Sequence, residues 1–174
     1  SYLSSVFNTI MLKDIIERHD IRNVDFLNYL IAFYADTTGQ LTSANSISKY
    51  MKSQGESISS NLVLLYRSFY EEAYLLNAAS RYDIHGKRIL ESKEKVYWDD
   101  LGLRNLKAEG GMDSYMEKVV IENAVYKHLC FLGYKVQVGV LGAGEVDFVC
   151  TKPDKTAYVQ VTYLIGDQAT RNRE

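Results

Sequence analysis

The sequence predicts an α+β fold, and three observations carry it. Apolar residues recur every three to four positions as far as about residue 75. Asn77–Tyr82 and Arg88–Trp98 read as a hairpin, and strand-like segments alternating with polar residues follow after Tyr134. Between the two strand-like stretches lie Lys107–Asp113, a polar, glycine-paired interruption, and then a further helical pattern. Helices and strands in separate runs, without regular βαβ alternation, are the order of an α+β chain.

The elements follow in turn. Asn8 to His19, with Ile10, Leu12, Ile15 and Ile16, reads as a short amphipathic helix. Val24 to Asp36 carries a wide apolar stripe of Phe26, Leu27, Leu30, Ile31, Phe33 and Tyr34, and Gly39 suits the left-handed residue behind it. Ala44 to Gln54 is the next helix, stopped by Gly55. Ser59 is placed to cap another from Ser60 to about Leu75. Two helices joined by a short glycine-containing turn form a helix-turn-helix pattern. Asn77–Tyr82 and Arg88–Trp98, joined around Asp83-Ile84-His85-Gly86, make a hairpin behind it. That order predicts a winged-helix domain over residues 23–106, after a leading helix or linker over 1–22. Residues 107–113 then form a linker to a second unit, 114–174. There Tyr115–Leu132 is helical and Tyr134–Leu141, Glu145–Val149 and Tyr158–Thr162 are strands. Three strands need more cover than one helix gives, so this unit is expected to be incomplete at its C-terminal end, and Ser1 is expected to be a cut within a longer chain.

The composition narrows the possible functions. The 174 residues are 47% apolar and 24% charged, with a net charge of −2 and one proline, as in a soluble globular protein. No apolar run approaches the roughly 20 residues needed to span a bilayer, so no membrane partner is expected. Cys130 and Cys150 lack a CxxC spacing and read as free thiols in the cytoplasm. The scattered histidines have no metal-binding spacing, and His85 falls at a hairpin turn. Residues 1–105 hold 12 basic and 13 acidic side chains, and residues 106–174 hold 8 and 9. A DNA-binding surface must therefore be local. Its candidates are Ser60, Asn61, Arg67 and Ser68 on the second helix, opposed by Glu71 and Glu72, and Arg81, Lys87, Arg88, Lys93 and Lys95 on the hairpin. Tyr66, Phe69 and Tyr70 have core spacing.

The polar constellation of the second unit is the main chemical signal. Side chains two apart share a strand face, so Glu145 and Asp147 are expected to point one way and Val146 and Phe148 the other; Gln160 and Thr162 form a second pair. Asp147 among Val146, Phe148 and Val149 is costly to bury without a role. Glu122, beside the helix stripe, is either part of the same site or a solvated residue pairing with Lys118. Glu145 is expected at the strand's solvated mouth.

With Glu122 on a helix, Asp147 on one strand and Gln160-Val161-Thr162 on the next, the second unit resembles the PD-(D/E)XK, restriction-endonuclease-like superfamily. The resemblance implies catalytic roles for Glu122, Asp147 and Gln160, with Asp147, the Gln160 oxygen and nearby carbonyls holding Mg²⁺. Thr162 stands where that superfamily keeps its Lys, and Gln160 removes a charge, so weak Mg²⁺ binding and a degenerate site are expected. Lys135, Lys152 and Lys155 are the lysines on neighbouring elements. A longer resemblance rests on Tyr2–Arg22, Ile47-Ser48-Lys49-Tyr50, Arg81–Lys87, Asp99–Arg104, Glu122-Asn123 and Glu145–Phe148. Together these look like the C-terminal, DUF4143-like region of a prokaryotic AAA+ family ATPase. That implies an ATPase module as partner and ATP bound in that module alone, because Gly142-Ala143-Gly144 is no G-x-x-x-x-G-K-[ST] loop.

Overall fold

A computed structural model describes residues 1–108 and 114–162 of the chain. It has a mixed α+β architecture around an open, six-stranded mixed sheet. Most of the expected linker, residues 109–113, and the last part of the second unit, residues 163–174, lie outside the described residues.

The helices are α1 (Tyr2–Thr9), α2 (Val24–Asp36), α3 (Ala44–Ser53), α4 (Ser60–Glu72), α5 (Leu101–Lys107) and α6 (Ser114–Phe131). A π-helical segment, Ile10–Glu17, continues α1. The single helix expected over Asn8–His19 is thus two joined pieces beginning earlier, with Phe7, Met11 and Ile15 buried. Side-chain caps fix the starts of several helices. Asn23 accepts from the Phe26 N–H, Ser59 from Leu62 and Asp100 from Leu103, while Ser43 and Ser46 form a reciprocal capping box. Helix α5, which the sequence pattern did not mark, sends buried Arg104 back to the Ala35 carbonyl at the C-terminal end of α2, where a cation is favoured.

The strands are β1 (Leu41–Thr42), β2 (Leu76–Asp83), β3 (Arg88–Trp98), β4 (Lys135–Leu141), β5 (Gly144–Lys152) and β6 (Lys155–Val159). They are arranged β1-β3-β2-β4-β5-β6, antiparallel throughout except where β2 and β4 run parallel. The hairpin expected to stand apart as a wing is therefore continuous with the strands of the second unit. Arg81, Tyr82 and Asp83 pair with Val138, Gly139 and Val140, so one sheet crosses the expected boundary.

Strand β3 serves two cores. Val96 and Trp98 pack with Leu30, Ile31, Tyr34, Tyr70 and their neighbours in the helical layer. The intervening Tyr97 joins Tyr126 of α6, Val138, Phe148 and Cys150 in a second cluster, and Lys95 points to the same side. Period-two geometry makes this possible, because successive side chains leave a strand on opposite faces.

The expected alternation fails at one place in β5. Gln137 opposes Val149 and Gly139 opposes Val146, so two steps on β4 span three on β5. The extra residue is a bulge at Asp147-Phe148. It turns Phe148 toward α6, where its ring packs against Tyr97 and Tyr126, on the side of the polar cluster and not opposite it. Gly139 lies across from the bulge. A Cβ there would fall 2.9 Å from Val149 Cγ2 and 3.0 Å from Val146 Cβ, too close for any side chain.

Candidate functional site

Five polar residues from three elements meet between the sheet and α6. Glu122 arrives from α6, Lys95 and Tyr97 from β3, and Glu145 and Asp147 from β5. Lys95 Nζ donates to Glu122 Oε1 at 3.2 Å and reaches Glu145 Oε1 at 2.6 Å. The Tyr97 hydroxyl donates to the same Glu122 oxygen at 2.7 Å. The Lys95 and Glu122 side chains are each 7% exposed, and Glu145 is 35% exposed at the strand's mouth. Glu122 is therefore not the solvated partner of Lys118 that its helix spacing allowed. It ties α6 to β3. Gly39, in the left-handed region at φ +70°, brings the turn after α2 against this carboxylate: a Cβ there would lie 3.5 Å from Glu122 Oε1.

Asn123, the next residue, strengthens the same junction. Its carboxamide accepts from the Trp98 N–H at 2.7 Å and donates to the Trp98 carbonyl at 2.8 Å, as a neighbouring strand would. Lys127 pairs with Asp99 one turn further along α6.

Asp147 and Gln160 meet through the backbone. Asp147 Oδ2 accepts from the Val161 N–H at 2.8 Å, and Gln160 Oε1 accepts from the Asp147 N–H at 3.3 Å. Gln160-Val161-Thr162 lies beyond β6, which corrects the expected strand Tyr158–Thr162. Gln160 and Thr162 are exposed, and Val161 is buried in the second cluster.

Burial dominates the electrostatics. It pushes the Asp147 carboxyl above its ordinary range; the Val161 N–H and Lys95 oppose the shift and the Glu122 charge adds to it. At Lys95 burial favours the neutral amine, but Glu122 and Glu145 together outweigh it, and the ammonium is held above the usual lysine range. Tyr97 stays a neutral donor, its ionisation strongly opposed by burial and then by Glu122.

The Mg²⁺ implied by the nuclease resemblance does not fit this donor set. The Lys95 ammonium stands between two of the carboxylates, and the two expected ligands already accept backbone N–H groups. Among the described residues no three His, Cys, Asp or Glu side chains are grouped to hold a metal ion. The lysine in the cluster comes from β3 and not from the lysines of the second unit. Lys135 and Lys155 are exposed, and Lys152 lies over the Tyr134 ring at 4.3 Å.

The expected DNA contacts divide differently. Arg67 turns inward, bonded to Glu94 of β3 and 3.4 Å from Glu71, which takes it off the exposed face of α4. Lys95 is likewise removed from the expected basic stretch of the hairpin. Arg81 lies half-buried within the sheet, paired in register with Leu90 and Val138. Asn61, Lys87 and Arg88 are exposed, the last with its Nε 3.6 Å from Asp83 Oδ2. Ser60 lines a cleft of about 310 Å³ with Ser43, Asn45, Lys93 and Glu94, where the starts of α3 and α4 meet β3.

Residues 1–112 match the family described as a domain of unknown function, DUF8612. The chain belongs to this family. The DUF8612 match takes in all of β3, and hence Lys95 and Tyr97, and stops before Glu122, so the polar cluster is built across its end. An uncharacterized protein of Haemophilus influenzae (strain ATCC 51907 / DSM 11121 / KW20 / Rd) is 35% identical over 165 residues, which cover 95% of this chain and 41% of that protein. The DUF8612 chain thus spans less than half the length of this relative. No solved structure matches it.

Proposed function

We propose that this region binds DNA through a winged helix joined, by a shared sheet, to a restriction-endonuclease-like unit that does not cleave efficiently. The observation that carries the reading is the order α2, β1, α3, α4, β2, β3, with β1 paired on the far edge of β3 and a hairpin tip bearing exposed Lys87 and Arg88. In a winged helix the second helix of the pair and the hairpin tip approach the duplex together. Asn61 offers a base-reading amide, while Lys87, Arg88 and Lys93 offer phosphate contacts. Helix α6, strand β5 and the segment just after β6 carry Glu122, Asp147 and Gln160 in the order of the PD-(D/E)XK resemblance. The buried Lys95 argues against turnover, because a group that stabilises charge on a phosphate must reach it. We place the region in the cytoplasm, at the C-terminal side of an AAA+ ATPase module. Among the described residues no helix is long and apolar enough to cross a membrane.

A second reading, a protein-docking module, has its own support. The α4 surface exposes Leu64 and Leu65, at 43% and 48%, and the one basic residue of that helix is tied to β3. Salt dependence separates the two. Phosphate contacts cost about 0.9 log units of affinity per contact per decade of salt on duplex DNA. Binding with such a slope, flattened in a Lys87→Ala/Arg88→Ala variant, supports the DNA reading. No binding at low salt favours the docking module. Cleavage of single-stranded, duplex or branched DNA with Mg²⁺ or Mn²⁺, lost in Asp147→Ala, overturns the non-cleaving part.

A further inference from the structure

We propose that the Lys95 ammonium is a tethered counter-cation filling the position of a divalent ion, and that Glu122 and Glu145 become a divalent-cation site once it is removed. The inference builds on the reading of the second unit as a non-cleaving relative of the nuclease fold. Its basis is geometric. Lys95 Nζ lies 3.2 Å from one oxygen of Glu122 and 2.6 Å from one of Glu145, so the two carboxylates converge on a single point. Hard divalent cations sit about 2.0–2.6 Å from oxygen ligands and are often held by one or two carboxylates with waters completing the shell. Small movements of two glutamates would therefore close such a shell around an ion at that point.

Three features favour this exchange. Glu122 is oriented by the Tyr97 hydroxyl independently of the lysine, so its aim survives the loss of Lys95. Glu145 is partly exposed, which gives an ion and its waters a way in from the strand's mouth. Asp147 adds a third acidic group nearby, its carboxyl acted on by both Glu122 and Lys95. Without an ammonium, the buried Glu122 and Asp147 would lie near Glu145 with no neutralising charge, an arrangement relieved by protons or a cation. Lys95 enters from β3, in the half of the sheet outside the nuclease-like unit. The charge balance of that unit is therefore completed by the neighbouring hairpin.

The test titrates Mn²⁺ into the complete chain, reading binding by calorimetry and free ion by electron paramagnetic resonance. The wild type is expected to show no saturable site, and Lys95→Met to bind at least about ten-fold more tightly, a gain of about 1.4 kcal/mol. Adding Glu145→Gln to Lys95→Met is expected to abolish the gain. Lys95→Gln, which keeps a donor for Glu122, serves if Lys95→Met does not fold. Saturable Mn²⁺ binding by the wild type, lost in Glu122→Gln, overturns the proposal, as does a folded Lys95 variant that gains no binding. DNA cleavage by the wild type without Mn²⁺ binding would sink the non-cleaving reading and leave this proposal standing.

Discussion

Lys95 and Glu122, 27 residues apart in the chain, form a buried ion pair that fastens α6 to the hairpin strand β3. Removing one partner from such a pair leaves an uncompensated charge, at a cost of about 3–5 kcal/mol. Glu122→Leu and Lys95→Met are each expected to lose stability in that range. Lys95→Met/Glu122→Leu, which removes both charges, is expected to recover much of the loss. Urea unfolding of the two singles and the double gives the coupling energy. A double as unstable as the sum of the singles would show that the pair is not what matters.

Asn123→Ala is expected to cost about 2–6 kcal/mol, because it strands both backbone groups of Trp98 in a buried position, each worth about 1–3 kcal/mol. Asn123→Asp keeps an acceptor for the Trp98 N–H but gives the carbonyl no donor, so it should destabilise as well. Chemical denaturation at neutral pH measures both.

The stability effect of Asp147→Asn should depend on pH. The folded carboxyl titrates above its unfolded value, chiefly through burial. The ionised group therefore costs stability above its raised pKa, and the cost disappears as pH falls below the unfolded value of about 3.9. Asparagine can still accept from Val161 and carries no charge. The stability of Asp147→Asn relative to wild type is expected to rise between pH 4 and pH 7. A flat difference across that window would contradict the burial argument.

Arg67 and Lys87 should behave oppositely. Arg67→Ala breaks the contacts with Glu94 and Glu71, so it should lower the unfolding midpoint and leave the salt slope of the proposed DNA binding unchanged. Lys87→Ala, at an exposed hairpin tip, should flatten the slope and leave the midpoint alone. Paired thermal and binding measurements distinguish them.

Local pattern made much of this fold legible. The stripe of α2, the Ser59 cap, the hairpin and the α6–β4–β5 succession all rest on neighbours within a few residues. Tyr66 and Tyr70 are buried as their spacing implied. Lys95 was missed because a lysine two residues from Lys93 in a hairpin reads as solvent-facing. The parallel pairing of β2 with β4, between segments more than 50 residues apart, and the docking of α6 on β3 bring it beside Glu122. No local periodicity encodes that pairing. The bulge at Asp147-Phe148 is equally hidden, since an extra residue on one strand is defined by its partner. The inward turn of Arg67 is hidden for a related reason: its partner Glu94 lies on β3, 27 residues along the chain, where no helical spacing points.

The alternation along β3 also acts as a safeguard on pairing. A slip of one residue would carry Lys95 into the cluster of Leu30, Tyr34 and Tyr70, and would set Val96 against the two glutamates. Both exchanges are unfavourable at once, so the strand has a single tolerable alignment with its neighbours. Evolution on either side of the sheet is constrained accordingly. A change at Trp98 shifts the strand that aims Lys95, and a change at Glu122 is felt at the turn after α2 that packs against its carboxylate.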